Sequence, residues 1–317
     1  MRNRLVIGTR KSPLALWQSE HIKAELQAAF PGIAVELKHV ITSGDKNQNS
    51  TAPIPLIGGK GLFTAELEEC LRTKEIDLAV HSLKDLPTTL DPHFAIGAVP
   101  TRSFVEDVVV SRSGKPLASL PHGAVIGTSS VRRSSQVLRL RPDFKIQIIR
   151  GNVDTRLRKL RAEDGVYDAI VLARAGLARL GLEKEITQVL QENEMLPAPG
   201  QGALGIECRS DDVELLAMLQ KLHDSRTAAE VTAERRFLQR LGAGCNTPVA
   251  ARAIVGERGG LSFSGRCLAP DGTQVIEVAG EGSIDDAIQL GDVMAEAAFS
   301  QGFREIAASF TSMTTDT

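Results

Sequence analysis

The chain has 317 residues, enough for two or three domains that each bury a core of their own. Lysine plus arginine come to 37 against 39 for aspartate plus glutamate, so no overall charge draws the chain to nucleic acid or a membrane, and any anion site has to arise from local clustering. No stretch is long and apolar enough to cross a bilayer and no apolar signal core stands at the N-terminus, so a cytoplasmic location, or an organellar one after processing, is expected.

In chain order, Leu5 to Thr9 reads as a buried strand. Ser12 then offers a helix N-cap, Pro13 a first helical residue, and Leu14, Gln18, Ile22, Leu26 and Phe30 trace one helical stripe up to Pro31-Gly32. Ala34 to Ile41 reads as a second strand. Ser43 to Ile57 is polar and aperiodic, and a loop that long predicts a functional lid. After Gly58-Gly59-Lys60-Gly61 a helix is predicted through Glu66 to Thr73, followed by a strand at Leu78 to Val80. That apolar run ends abruptly in His81-Ser82-Leu83-Lys84-Asp85-Leu86-Pro87. In an open α/β sheet, ligands bind beyond the carboxyl ends of strands, so a carboxylate and an ammonium delivered there are candidates for chemistry. The competing reading of Asp85 is a turn cap before Pro87, paired on the surface with Lys84.

Strands and helices alternate again from Val108 to Arg179: strands at Val125 to Gly127, Ile146 to Ile149 and Ala169 to Leu172, with helices at Val131 to Arg141 and near Thr155 to Arg161. Leu196 to Gly200 reads as a crossing or hinge segment. Helices at Asp212 to Leu222 and Ala228 to Leu241 precede strands at Val249 to Val255, Leu261 to Leu268 and Gln274 to Ala279, closed by a helix at Ile284 to Phe299. The predicted class is α/β, with two tandem lobes and a small α+β C-terminal domain. The lobes are expected over 1–100 with 201–218 and over 101–200, and the third domain over 219–317.

Gly127-Thr128-Ser129-Ser130-Val131-Arg132-Arg133 follows a strand and opens a helix, a ready anion site. Arginines in a first helical turn oppose the macrodipole, at about 0.3 to 1 kcal/mol each, unless an anion offsets them. The alternative is a serine cap with two solvated arginines. Thr9-Arg10-Lys11-Ser12 and Arg150-Gly151-Asn152-Val153-Asp154-Thr155-Arg156 repeat the pattern, so a polyanion is expected in a cleft between the lobes. Gly200-Gln201-Gly202-Ala203-Leu204-Gly205 matches a dinucleotide fingerprint in letters only, since no strand precedes it, and Gly59-Lys60-Gly61 lacks the Walker spacing. The four cysteines, Cys70, Cys208, Cys245 and Cys267, stand far apart with no C-x-x-C spacing, against a disulfide framework or a zinc site. Cys245 sits in the small-residue turn Gly242-Ala243-Gly244-Cys245-Asn246, with no histidine close by in sequence for a Cys–His pair.

Thr9-Arg10-Lys11-Ser12-Pro13-Leu14-Ala15, Gly58 to Phe63, His81 to Pro87, Gly127 to Arg133, Arg150 to Val153, Gly200 to Ala203 and the Cys245 turn together resemble the porphobilinogen deaminases, or hydroxymethylbilane synthases, over nearly the whole chain. The resemblance implies two lobes similar to periplasmic solute-binding proteins, and a dipyrromethane cofactor joined to Cys245 by a thioether as a primer. It implies a transferase of porphyrin and heme biosynthesis that deaminates four porphobilinogen molecules, joins them head to tail and releases hydroxymethylbilane. Asp85 matches the catalytic acid, which would face the pyrrole N–H groups as positive charge develops. Carboxylates of the cofactor would be held by Arg132, Arg133, Arg150 and Arg156, helped by Lys84, Thr128 and Ser130. Arg10, Ser12, Lys60, Phe63 and Gln201 would meet the substrate. The chain departs from the family pattern at Gly242-Ala243-Gly244 and over Arg102 to Asp107, where it keeps Arg102 and Asp107. A monomer without metal, nucleic acid or membrane partner is expected. A two-lobed anion-binding protein without catalysis is the rival reading, and Cys245 discriminates against it; RNA binding fares worse, because aromatics are only 4%.

Overall fold

The computed structural model describes residues 2–42, 64–244 and 247–312. The first elements in chain order are β1 (Arg4–Thr9), α1 (Pro13–Ala29), β2 (Ala34–His39), α2 (Ala65–Arg72), β3 (Leu78–Ser82) and β4 (Phe94–Ala98). Next come β5 (Asp107–Ser111), β6 (Val125–Gly127), α3 (Val131–Leu140), β7 (Lys145–Gln147), α4 (Val153–Arg161), β8 (Ala169–Ala173), α5 (Arg174–Arg179) and β9 (Gln188–Val189). The chain continues through β10 (Leu204–Arg209), α6 (Val213–Leu219), α7 (Ser225–Arg240), β11 (Val249–Val255), β12 (Gly260–Leu268), β13 (Val275–Ser283), α8 (Ala287–Ser300) and α9 (Phe303–Ser312).

One compact unit comprises Met1–Ser103 and Ala203–Ala228. Its five-stranded sheet has the order β2-β1-β3-β10-β4. β1 runs parallel to β2 and β3, whereas β10 returns antiparallel between β3 and β4. Leu5, Ile7, Ile22, Leu26, Leu78 and Ile206 form its main core, and Leu67, Leu71 and Ile76 a second cluster. Each such side chain, once buried, stabilises the fold by about 1.5 to 3 kcal/mol. Helix α1 starts as its sequence predicts: Pro13 takes the first position and Ser12 Oγ accepts from Ala15 N at 3.3 Å.

The second unit comprises Phe104–Gly202 and Ala229–Thr317, and it holds two sheets. In the five-stranded one, ordered β7-β6-β8-β5-β9, β6 is parallel to β7 and β8 while β5 is antiparallel to β8 and β9. The other is the antiparallel meander β11-β12-β13, whose core includes Phe237 of α7 edge-on to Phe263 at 5.2 Å, with Leu290 and Met294 of α8. Its outer strand β11 would expose a row of N–H donors, a site for unwanted pairing. Instead Ala251 N donates to Pro197 O at 3.1 Å, Ala253 N to Glu234 at 2.9 Å and Val255 N to Glu230 at 3.0 Å. The turn between β12 and β13 also touches α3: Gly272 has φ +76°, and a Cβ there would lie 2.5 Å from Ser135 O.

The α/β class with a small C-terminal sheet stands as expected. The strand expected to reach Ile149 stops at Gln147, and the last long helix begins at Ala287 after a 3-10 turn over Ile284–Asp286. Strand β9, of two residues, is too short to show any period in sequence. Gly200 and Gly202 adopt φ of +75° and +87° in a turn that runs into strand β10 rather than a helix, so the dinucleotide reading fails on context as the sequence indicated.

Lys74 is the one described non-glycine residue with positive φ, at 61°. It follows α2 in a Schellman-type end, with Glu75 N donating back to Cys70 O at 2.9 Å. A left-handed conformation costs an L-residue about 1 to 2 kcal/mol. Lys74→Gly is therefore expected to stabilise this unit by about 1 kcal/mol, less the entropy glycine adds to the unfolded chain. Urea unfolding checks it, as a raised midpoint with unchanged slope.

Candidate functional site

In the first unit, the parallel pairing of β1 with β3 puts the turns after both strands at one edge of the sheet. Arg10 and Ser12 leave the end of β1 there, and Lys84 and Asp85 the end of β3. The latter turn has a firm base. Leu83 and Leu86 are 0% and 2% exposed, Leu83 N donates to Ala203 O at 3.0 Å, and Ser82 Oγ accepts from Gln18 Nε2 at 2.8 Å. Gly205 makes room for the two leucines, since a Cβ on it would lie 2.9 Å from Leu83 Cδ1. Asp85 ends the 3-10 turn Leu83–Asp85, is exposed, and makes no hydrogen bond or ion pair among the described residues. It is not a cap. Ser12 spends an acceptor on Ala15 N, which leaves its hydroxyl proton available to a ligand.

In the second unit, β6 lies parallel to both β7 and β8, so again the turns after these strands share an edge. Thr128, 2% exposed, accepts the Ser130 N–H at 3.1 Å, and Ser129 Oγ donates to Ile149 O. Ser130 occupies the N-cap of α3 and Asn152 that of α4, both in extended conformation and neither with a side-chain cap bond. The first N–H groups of both helices thus lack the usual side-chain acceptor. Gly151 makes the second turn possible: its φ is +112°, and a Cβ would lie 2.7 Å from Thr155 Cγ2. Arg156 Nε donates to Gly151 O at 2.8 Å, and Arg150 and Arg156 are both half-buried.

Arg132 and Arg133 depart from both sequence readings. They are neither solvated nor turned outward, but 4% and 6% exposed around the fully buried Asp107. Arg132 Nη1 donates to Asp107 Oδ2 at 2.7 Å and to Leu196 O at 2.8 Å. Arg133 reaches Asp107 Oδ1 through Nε at 3.0 Å and Nη2 at 2.8 Å, and Val171 O through Nη1 at 3.1 Å. The anion that offsets the helix dipole is thus the chain's own. Burial pushes the Arg132 guanidinium down from its ordinary value, and Asp107 pulls it back up. Gln201, expected to meet the substrate, is likewise wholly buried, donating to Val105 O at 2.7 Å and Asp107 Oδ1 at 3.1 Å. The reason is positional: the first turn of α3 and the 196–201 segment both pack on the start of β5.

Arg179, which the sequence reading passed over, donates to Gly202 O at 2.8 Å, and burial draws its guanidinium down to about 10. Perturbed groups of this kind cluster at functional sites. The signal available in the sequence was an arginine shortly after another buried strand.

The thiols differ by environment. Burial pushes Cys208 and Cys267 up to about 12 and raises Cys70 as well, so at neutral pH all three are protonated and poorly nucleophilic. Cys245, Lys60, Phe63 and the lid predicted over 43–57 lie outside the described residues.

Residues 5–217 match the family model described as porphobilinogen deaminase, dipyromethane cofactor binding domain, and 228–300 match the porphobilinogen deaminase C-terminal domain. A porphobilinogen deaminase of Roseiflexus castenholzii is 48% identical over 308 residues, covering 97% of this chain and 100% of that one. One of Halalkalibacterium halodurans is 46% identical over 304 residues, covering 96% of each. Among solved structures, the periplasmic aliphatic sulphonate binding protein SsuA of Escherichia coli aligns over 75% of this chain and 70% of its own, at 15% identity and a TM-score of 0.41.

Removing one partner of a buried ion pair strands the other charge, at about 3 to 5 kcal/mol. Arg133→Leu is expected to lose that much stability, and Arg133→Lys less, since one donor survives without the fork. Thermal unfolding of the two variants checks the order, and equal midpoints for both and for the parent protein would contradict it.

Proposed function

The chain belongs to the porphobilinogen deaminase family, and from that premise we propose how its own side chains divide the work. The enzyme is a transferase that deaminates porphobilinogen and joins the units head to tail into hydroxymethylbilane. A binding protein without catalysis is set aside.

The observation that carries the assignment is Asp85: an exposed carboxylate without a partner among the described residues, on a turn whose base is buried and bonded from both sides. A preorganised charge of that kind stabilises a cation developing on a pyrrole ring without having to reorganise first. Arg10 and Ser12, at the same sheet edge, bind the acetate and propionate of the incoming substrate, together with Lys60 and Phe63.

The described residues fit a dipyrromethane. It carries several carboxylates, and the helix starts at Ser130 and Asn152 present N–H donors without side-chain caps beside Arg150 and Arg156. When bound, the group supplies the pyrrole carbon to which the first substrate is joined. Cys245 holds it by a thioether, a reading favoured by the raised, buried thiols of Cys208 and Cys267 and the raised Cys70. Arg150, Arg156, Lys84, Thr128 and Ser130 hold its carboxylates. Arg132, Arg133 and Gln201, engaged with Asp107, shape the Thr128–Ser130 turn from behind.

We read the segment from 219 onward as a domain of its own, and the protein as a cytoplasmic monomer. Light scattering on the eluted holoenzyme checks the last point.

The native protein is expected to exceed its sequence mass by two pyrrole units. Cys245→Ser abolishes that excess, while Cys70, Cys208 and Cys267 variants retain it; a fully active protein of bare sequence mass would sink the attachment. Asp85→Asn keeps size but loses charge, and is expected to slow turnover about a hundredfold or more with fold and cofactor intact. Asp85→Glu retains a fraction. Single-turnover kinetics with porphobilinogen, alongside circular dichroism and intact mass, decide the matter, and near-parental turnover by a loaded Asp85→Asn enzyme overturns the catalytic role.

A further inference from the structure

A buried ionisable pair lies just upstream of the Asp85 turn, and the chemistry above makes no use of it. His81 Nε2 and Glu207 Oε2 are 3.0 Å apart, with His81 8% exposed and Glu207 fully buried. In the antiparallel pairing of β3 and β10, His81 stands opposite Gly205 and Glu207 opposite Ala79, so both side chains leave the same face of the sheet. That face is otherwise apolar, packed by Leu67, Leu71, Ile76 and Phe94. Glu68 of α2 is the third member: burial pushes its carboxyl up, Glu207 adds to the rise, and His81 opposes it.

Stability alone does not account for the pair. A buried ion pair is often no better than apolar side chains of equal volume. The His81–Glu207 contact also leaves Glu207 Oε1 buried without a hydrogen-bond partner among the described residues, an unmet acceptor that opposes folding. What a hydrogen bond gives and an apolar contact does not is direction. An apolar strand end tolerates small shifts and repacking, whereas His81 is held to one orientation by Glu207. The next residue, Ser82, is held by Gln18, and Leu83 begins the turn that ends in Asp85. Displacement of a reacting group by about 1 Å can cost a hundredfold in rate.

We propose that His81, oriented by Glu207, is a positioning residue for Asp85, fixing the end of β3 and with it the place of the reacting carboxylate. The inference rests on the catalytic reading of Asp85.

A double-mutant cycle on the cofactor-loaded enzyme tests it. Glu207→Leu removes the pair and suits the apolar face. It is expected to lower kcat about tenfold, with KM, cofactor mass and folded content unchanged, and Glu207→Gln, which keeps an acceptor for His81, recovers most of the loss. In an Asp85→Asn background, Glu207→Leu adds no further slowing, because the pair acts through that carboxylate. If Glu207→Leu does not fold, His81→Asn takes its place in the same cycle. An unchanged kcat in the loss variant, or an equal slowing with and without the Asp85 carboxylate, overturns the positioning role and leaves the reading of Asp85 standing. Full activity of Asp85→Asn alone instead removes that reading, and the inference with it.

Discussion

The second unit is organised around one buried carboxylate. Asp107 opens β5 with no exposure to solvent, and it collects Arg132 and Arg133 from the first turn of α3 and Gln201 from the segment that returns after Leu196. An aspartate at such depth survives as an ion only because both its oxygens accept charge-assisted bonds. Two guanidiniums share that single carboxylate and tie the first turn of α3 to the start of β5 behind the Thr128–Ser130 turn.

Each unit builds its strand-end edge by the same rule. Parallel neighbours, β1 with β3 and β6 with β7 and β8, deliver their strand-to-helix turns to one side, and the antiparallel strands β10 and β5 brace the sheet from within. The bracing strands carry the buried polar groups, Glu207 and Asp107, that reach across to the turn-bearing elements. Rigidity thus comes from the returning strands, while the groups offered to ligands sit on the outgoing ones, a separation that lets the outward side chains serve binding rather than packing.

Local chemistry made much of this legible in sequence. Ser12-Pro13 marks a helix start because cap and ring act within a few residues, and the apolar run before His81 marks a strand because its side chains are buried, although the strand itself continues through the buried His81 to Ser82. The oddity of two arginines at the start of α3 was legible too, but its resolution was not. The partner, Asp107, lies 25 and 26 residues away and could be chosen only by the fold. Gln201 was hidden by its glycine neighbours, whose spacing drew attention to a fingerprint the structure does not build. The His81–Glu207 contact spans 126 residues and leaves no trace in local spacing.

The same distinction separates the two kinds of ionisable residue in the protein. Asp85 is set by what precedes it in the chain, a strand end and a turn, and is left without a hydrogen bond or ion pair among the described residues. Asp107, Arg133 and Glu207 are set by tertiary partners and are committed. A sequence motif cannot distinguish the classes, because both place charge beside apolar runs. Burial does: a charge the fold encloses must be neutralised by the fold, and only one left at the surface of a rigid base can be neutralised by a ligand or by a developing transition state. The role proposed for Asp85 rests on that exposure, and the role proposed for His81 and Glu207 acts only through it.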